Sequence, residues 1–347
     1  MTKYILLRNK SESFSIEVHK PSLFRLGLLF VAVMLVFIVS LSAGSSYIPI
    51  SAVIQEIISS SDYAFVLNEL RLPRVLLACV VGAGLGVSGL ILQAIIRNPL
   101  GSPDIVGVTG GASVGTVLFI VYLLGEVSIS WLPVASIIGA AVAMLVVYFL
   151  SWKNGVTPFR LILVGIGISA LTNAIVTMFM VSSESAVASK VYLWMTGSLY
   201  GANWQEVLIV SPIILLLLFA SVFLTSVVDV KQLGDDVALG LGVRVQFFRT
   251  LLLLLSVGLA GSAVAFAGGI AFVGLIAPHI ARFLLQKSFG ILVFGSAIIG
   301  ALIVMLADIV ARTAFLPSDI PAGVFTAGIG APFFIYLLYR NKEGMKL

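Results

Sequence analysis

One ionisable pair lies inside a long apolar stretch of the sequence, where charged groups are costly and therefore often functional. Asp308 is the only acidic residue that we place well inside an apolar run, and Arg312 follows it four residues later. Residues at this spacing share a helix face and favour an ion pair. A carboxylate in such a position could instead relay protons, but one acid beside one cation makes a poor relay. We therefore expect a structural ion pair near the outer membrane face.

Two further arginines open another apolar stretch, in the segment Leu70-Arg71-Leu72-Pro73-Arg74. Arginine holds a carboxylate through two parallel hydrogen bonds, which makes the contact geometrically specific. Together with Arg312, Arg71 and Arg74 would suit an acidic docking partner or an anionic substrate. The alternative is that their long side chains simply reach from the apolar region into the interface. Residue type alone favours neither interpretation.

A loop with charges of both signs, residues 228–249, is the longest such connection. Asp235 or Asp236 can begin a short helix there, and Gly240 or Gly242 can end it. Its apolar side chains would share one face; they are Val237, Ala238 and Leu241. A short amphipathic helix at the membrane surface is a natural contact for another protein. A plain connecting loop is the alternative.

Motifs for catalysis or nucleotide binding are absent from the sequence. It has no G-x-x-x-x-G-K-[ST] phosphate loop, no H-E-x-x-H, no C-x-x-C and no aromatic-basic run for nucleic acid. The single cysteine, Cys79, predicts packing rather than redox chemistry. His279 is more simply a packed imidazole than a metal ligand. We predict no catalytic residue, metal site or cofactor site in this chain.

The elements that carry these residues must lie in lipid. Of the 347 residues, 60% are hydrophobic and only 10% are charged, whereas soluble domains carry about 25% charged residues. About 20 apolar residues cross a bilayer as a helix. We predict an all-α polytopic membrane protein in which glycines interrupt the third and eighth spans. The ten predicted spans are 23–43, 73–93, 105–124, 131–151, 160–181, 205–227, 247–267, 270–286, 289–311 and 321–340.

The distribution of basic residues predicts the orientation, because cytoplasmic loops carry an excess of Lys and Arg. With the N-terminus inside and ten alternating spans, sixteen of the 20 basic residues fall on the cytoplasmic side. Both termini are then cytoplasmic. The predicted parts are an N-terminal tail (1–22), a single transmembrane domain (23–340) with a polar cytoplasmic segment at about 229–246, and a C-terminal tail (341–347).

Several motifs occur in the order typical of one transporter family. The sequence resembles the FecCD/BtuC-type permeases of binding-protein-dependent ABC importers, which carry ferric siderophores, haem or cobalamin. The resemblance extends over nearly the whole chain from about residue 25. The motifs are Leu70–Arg74, Gln93 through Asn98-Pro99-Leu100, Gly107-Val108, Gly111-Ala112, Leu233-Gly234 through Leu241-Gly242, Gly274–Arg282, Ala307–Arg312, Pro321-Ala322-Gly323 and Gly330-Ala331-Pro332.

The resemblance implies a BtuC-like, type II importer bundle of ten helices that pairs with a second permease copy or a paralogue. It implies two cytoplasmic ATPase subunits, which bind ATP and magnesium, and an extracytoplasmic siderophore-binding protein. The residues implied to dock the binding protein are Arg71, Arg74 and Arg312. Those implied to couple to the ATPase are Leu233, Gly234, Asp235, Asp236, Val237, Ala238, Leu241 and Gly242. The implied inner gate region is Thr157, Pro158, Phe159 and Arg160.

The predicted function is import of a ferric siderophore across the cytoplasmic membrane, with no iron ligand in the permease itself. At the gate region the sequence departs from the small hydroxylated residues of the cobalamin importer, since Pro158 and Phe159 intervene. A haem or cobalamin importer of the same family is the first alternative. An ion-coupled secondary transporter is the second, and it would need paired carboxylates or broken helices near the bilayer midplane. A membrane enzyme would need a cluster of reactive groups that this sequence lacks.

Overall fold

The computed structural model is a helical bundle, and it describes residues 4–8, 15–58, 62–153, 155–285 and 288–344. Two short strands, β1 (Tyr4–Arg8) and β2 (Ser15–His19), pair antiparallel ahead of the first helix. The helices of the described residues are α1 (Lys20–Ser42), α2 (Ile50–Ile58), α3 (Leu72–Ile96), α4 (Val108–Tyr122), α5 (Leu132–Ser151), α6 (Pro158–Ser182), α7 (Ser185–Thr196), α8 (Trp204–Phe223), α9 (Thr225–Gln232), α10 (Asp235–Gly240), α11 (Val245–Ala267), α12 (Val273–Leu284), α13 (Phe289–Thr313) and α14 (Ala322–Gly344).

Eight of these helical stretches are long and apolar enough to cross a membrane, which confirms the predicted polytopic all-α architecture. They are α1, α3 with its preceding π-helical turn Val66–Arg71, α5 with the 3₁₀ turn Ile129–Trp131 before it, α6, α8, α11, α13 and α14. Two further apolar helices, α4 and α12, match the third and eighth predicted spans. Their 15 and 12 residues give lengths of about 22 and 18 Å. Both are shorter than the ~30 Å hydrocarbon core.

The N-terminal strands and α7 were not predicted from the sequence. Within the predicted tail 1–22, residues 4–8 and 15–19 form strands and α1 already begins at Lys20. Within the predicted C-terminal tail, α14 continues to Gly344. Some basic residues used to predict the orientation lie outside the described residues; they are Lys3, Lys10, Lys287 and Lys346.

Helix α3 occupies the centre of the bundle, where it packs against α13, α11 and α12. Its glycines let neighbouring backbones approach closely. A Cβ added at Gly82 would lie 2.3 Å from the carbonyl oxygen of Gly300 in α13, and one at Gly89 would overlap Gly274 in α12. Because helices in lipid associate largely through such close packing, α3 holds the bundle together through positions where only glycine fits.

Gly82→Val is expected to lower the yield of monodisperse permease in detergent and to reduce its Tm. The added side chain meets a backbone carbonyl that cannot move aside, and such overpacking typically costs about 1–3 kcal/mol. Gly27→Val in α1 is the matched control, since no other atom of the described residues, outside its own stretch of α1, lies within 4 Å of a Cβ at Gly27. Equal Tm values for the two variants would contradict the close packing of α3 on α13.

The two short helices begin inside the bundle, each after an irregular stretch of chain. Residues 97–107, which include the 3₁₀ turn Pro103–Val106, precede α4, and residues 268–272 precede α12. Left-handed backbone occurs in both stretches, including the bulky Phe272 at φ 66°, an uncommon conformation for such a residue. The stretches meet, because a Cβ at Gly274 would lie 3.1 Å from Cδ of Pro103. Irregular backbone at membrane depth is tolerated only where it is buried in protein or lines a water-filled cavity.

Candidate functional site

A network of charged side chains lies at the end of the bundle that the charge count predicts to be the outer one. Arg74, in the first turn of α3, joins two carboxylates. Its Nε donates to Oδ1 of Asp308 (2.8 Å), while Nη1 and Nη2 donate to Oδ2 and Oδ1 of Asp319 (2.6 and 3.0 Å). We call Arg71, Arg74, Asp308, Arg312 and Asp319 the outer cluster. Its fork-like contacts tie the start of α3 to α13 and to the segment before α14.

The predicted ion pair between Asp308 and Arg312 is present within the outer cluster. Nε of Arg312 lies 3.3 Å from Oδ2 of Asp308, without the alignment of a hydrogen bond. Nη2 of Arg312 donates to the backbone oxygen and the hydroxyl of Ser40 in α1 (2.5 and 2.6 Å). Asp308 is fully buried. The pair therefore joins α13 to α1 and is shielded from bulk water.

The guanidinium of Arg71 donates hydrogen bonds to backbone oxygens instead of a carboxylate. Nη1 donates to the carbonyls of Leu41 (2.7 Å) and Ser42 (2.8 Å), and Nη2 donates to the carbonyl of Ser46. The side chain is buried. Arg71 therefore fixes the chain that follows α1 onto the start of α3.

The structure brings the three predicted docking arginines together, but it turns their guanidinium groups inward. Arg71 and Arg312 are buried, and the side chain of Arg74 is only 12% exposed. Asp319, which the sequence analysis missed, is the most exposed partner of Arg74 at 21%. A docking protein would reach this cluster along the edge formed by Arg74 and Asp319. The docking role stays a prediction.

The predicted short helix in the polar loop is present as α10, at the opposite end of the bundle. Gly234 precedes it with a left-handed φ of 126°, the two acidic residues stand in its first turn, and Gly242 follows with φ 81°. The predicted shared face needs a correction. Ala238 is buried whereas Val237 is exposed, because successive helical residues point about 100° apart. Leu241, which follows the end of α10 at Gly240, is also exposed. Leu233 and Leu239 are also exposed, so α10 presents apolar side chains outward.

Asp235 connects α10 to two membrane helices. Its Oδ1 accepts from Nη2 of Arg97 at the end of α3 (2.5 Å), and its Oδ2 accepts from Nη2 of Arg249 in α11 (2.6 Å). Burial raises the pKa of this carboxyl, but the hydrogen bond and charge of Arg249 and the charge of Arg97 outweigh it, so the net pKa is lowered. We call Arg97, Lys231, Asp235 and Arg249 the inner cluster. Asp235 is therefore an anionic link rather than a free surface charge.

The predicted gate region adjoins the inner cluster. Thr157 precedes α6, and Pro158 and Phe159 open that helix; Phe159 is 74% exposed. Nη1 of Arg160 donates to the carbonyl of Lys153 (3.2 Å). Arg249 also donates to the carbonyl of Val156, immediately before this region. The sequence analysis did not foresee this connection through Arg249, and the gate role remains a prediction.

Lys231 is buried in the inner cluster, and within the described residues its Nζ has no hydrogen-bond partner. Burial, together with the charge of Arg249, lowers its pKa from 10.5 to about 8. The folded state therefore disfavours the ammonium form. This cost is full below about pH 8 and disappears as the pH rises towards the unfolded-state pKa of 10.5.

Lys231→Met is therefore expected to raise the Tm at pH 7.5, by an amount equivalent to roughly 1–3 kcal/mol. The difference from the wild type should shrink between pH 8 and 10.5, as the wild-type amine loses its proton in both states. Differential scanning fluorimetry in detergent across this pH range measures it. A constant difference at all pH values would show that the ammonium carries no such cost.

Comparison with known proteins covers almost the whole chain. The model of the FecCD transport family matches residues 32–340. The achromobactin transport system permease protein CbrC of Dickeya dadantii (strain 3937) is 46% identical over 332 residues, 95% of each chain. The iron(3+)-hydroxamate import system permease protein FhuG of Bacillus subtilis (strain 168) is 41% identical over 332 residues, 93% of this chain and 98% of the relative. A metal-chelate type ABC transporter solved in an inward-facing conformation superposes with a TM-score of 0.82 at 32% identity, covering 91% of this chain and 99% of the other.

Proposed function

The chain belongs to the FecCD transport family and is a multi-pass protein of the cell membrane, and from this premise we propose that it is the permease through which an ATP-driven importer moves a ferric siderophore. The observation that carries the proposal is similarity along the whole chain to permeases named for iron chelates. The relatives at 46% and 41% identity are named for achromobactin and iron(3+)-hydroxamate. The superposed structure is a metal-chelate transporter.

We assign ATP hydrolysis to a separate cytoplasmic ATPase dimer that binds α10. The exposed apolar side chains at this end suit burial against such a partner; they are Leu233, Val237, Leu239 and Leu241. ATP and magnesium are bound by the ATPase and not by this chain. The same assignment places both termini in the cytoplasm, an extracytoplasmic siderophore-binding protein at the outer cluster, and a second permease copy or paralogue beside this one.

The inner cluster offers a route by which the ATPase could move the bundle. A displacement of α10 pulls on Arg97 and Arg249 through Asp235. Arg97 ends α3, a helix about 37 Å long by its 25 residues, and Arg74 stands near its other end. Arg249 also contacts Val156 beside the gate region. Closure of the ATPase dimer would then move α3 and α11 together and switch access from one side to the other, a rigid-body transition.

The test is uptake by the complete importer in proteoliposomes, with ⁵⁵Fe-loaded chelate, binding protein and ATP. We expect uptake to require ATP hydrolysis and to persist when a protonophore and a sodium ionophore collapse the proton and sodium gradients. Uptake that stops with these ionophores while ATP remains would favour the ion-coupled secondary transporter instead.

A further inference from the structure

A cavity of about 460 Å³, lined by apolar and polar side chains, lies where the two short helices begin. Its walls come from the starts of α4 and α12 and from α6, α7 and α14. Apolar side chains such as Met195, Phe272 and Phe334 form one part of the lining. The polar part consists of Ser102, Asp104, Thr109, Ser113, Ser169 and Asn173. The volume is within the usual range for small-molecule sites, about 300–1,000 Å³.

Among the described residues of this lining, Asp104 is the one that is ionisable. The hydroxyls of Thr109 and Ser102 hydrogen-bond to its carboxyl group, and its backbone oxygen accepts from the hydroxyl of Ser169 (3.1 Å). Among the described residues, no ion pair involves Asp104. Asp104 was not among the predicted site residues, because it follows a segment with the composition of an ordinary loop, Asn98-Pro99-Leu100-Gly101-Ser102-Pro103.

A carboxylate without a cation is expensive at membrane depth unless it faces water or a ligand. The backbone of the non-helical residues beside Asp104 must likewise be buried in protein or line a hydrated cavity. Asn173, on the other side of the cavity, is exposed. The same helix presents exposed Ala170 and Thr177 one turn away on either side, so small and polar groups continue along α6. The cavity therefore extends to the face of α6 that carries Asn173.

We propose that this cavity contacts the ferric chelate during its passage, and that Asp104 makes it selective for chelates that carry positive charge or hydrogen-bond donors over anionic ones. The inference rests on the proposed function. The hydroxyls and amide of the lining hydrogen-bond the polar surface of the chelate, and the aromatic side chains contact its apolar backbone. The single carboxylate supplies the charge discrimination, since a like charge within about 4–6 Å is disfavoured in a site of reduced dielectric constant.

Three ferric trihydroxamates that differ only at one terminus test this selectivity. They are ferric desferrioxamine B with its free ammonium, its N-acetyl derivative and its N-succinyl derivative, which are positive, neutral and negative at that group. Initial uptake rates are measured with the complete importer, wild type against Asp104→Asn. We expect the ratio of positive to negative chelate uptake to fall by about tenfold in the variant. The binding protein is the same in both, so its own preference cancels in this comparison.

Asp62→Asn is the matched control, because it removes an equal charge from an exposed position outside the cavity. Its uptake ratio should equal that of the wild type. An unchanged ratio in Asp104→Asn would overturn the proposed selectivity. If the wild type imports none of the three chelates, the result counts against the proposed function for hydroxamates. Thiol labelling at residue 173 then decides the role of the cavity.

Thiol labelling tests the cavity without any chelate. Asn173→Cys is placed in a Cys79→Ser background in the assembled importer, and reaction with cationic and anionic methanethiosulfonates is timed. We expect the cationic reagent to react about tenfold faster, and the preference to vanish when Asp104→Asn is added. A residue-173 thiol that reacts with neither reagent, or with no dependence on Asp104, would overturn the proposal.

Discussion

Arg74→Ala is expected to abolish accumulation of folded permease, with a loss of about 3–5 kcal/mol, because it leaves the fully buried carboxylate of Asp308 with one poorly aligned cation. Such a loss is a large part of a typical total stability of about 5–15 kcal/mol. Arg74 also holds Asp319 through two hydrogen bonds, so the segment before α14 loses its attachment to α3. The folded yield after size-exclusion chromatography and the Tm in detergent measure the effect.

A triple variant separates this structural role from the predicted docking role. Arg74→Met/Asp308→Leu/Arg312→Met replaces the buried charges by apolar groups, which is often neutral or even stabilising. We expect the folded yield to recover. If the arginines also dock the binding protein, the recovered permease should fail to bind it in a pull-down from proteoliposomes.

The alternatives give different results in the same experiment. Normal binding by the folded triple variant would refute docking by Arg74 and Arg312. Normal folding of Arg74→Ala would show that the outer cluster contributes little to stability. The single variant therefore tests the structural role, and the triple variant tests the docking role.

The sequence predicted contacts that are local along the chain. Asp308 and Arg312 are four residues apart on α13, so helix geometry alone placed them together. The same holds for α10, whose first and last turns were marked by acidic residues and glycines. The partners of these residues come from distant segments: Asp319 for Arg74, and Arg97 and Arg249 for Asp235. No periodic pattern in the sequence encodes these contacts between distant segments, because they depend on the packing of the whole bundle.

The composition of a segment was also a poor guide to its depth. The polar stretch 97–104 lies outside the predicted spans and looks like a surface loop, yet it returns into the bundle and places Asp104 in the cavity at the starts of α4 and α12. Helix α7 lies in a predicted loop between spans, because its 12 residues include Lys190 and two serines and are too few to suggest a crossing. The long spans were predictable because apolar content over about 20 residues determines them, whereas a re-entrant turn depends on its neighbours.

The basic residues near the inner end illustrate the same limit. From the sequence, Arg97 and Arg249 were counted only as basic residues that indicate the orientation. In the structure they hold the carboxylate of Asp235, which links α10 to the bundle. A residue that satisfies a topological rule can therefore carry a specific contact as well, and only the three-dimensional arrangement distinguishes the two.

Asp235→Ala is expected to reduce chelate uptake at least tenfold while the ATPase remains bound. The exposed apolar side chains of α10 that would face the ATPase are unchanged, but the helix loses both of its ion pairs to α3 and α11. Hydrolysis of ATP would continue with little transport, because motion of α10 would no longer reach the membrane helices. Conversely, Leu239→Asp/Leu241→Asp should release the ATPase during purification, since it places charge on the exposed apolar surface.

Asp236→Ala is the matched control for Asp235→Ala, because it removes the same charge from the same helical turn at an exposed position that has no ion pair among the described residues. The buried guanidinium of Arg249 complicates the single variant, since an unpaired buried charge is itself destabilising. Asp235→Ala/Arg249→Met removes that charge and should restore folding while uptake stays low. If this double variant or Asp235→Ala transports as well as Asp236→Ala, force does not pass through Asp235, and α10 must act on the bundle through its backbone connections alone.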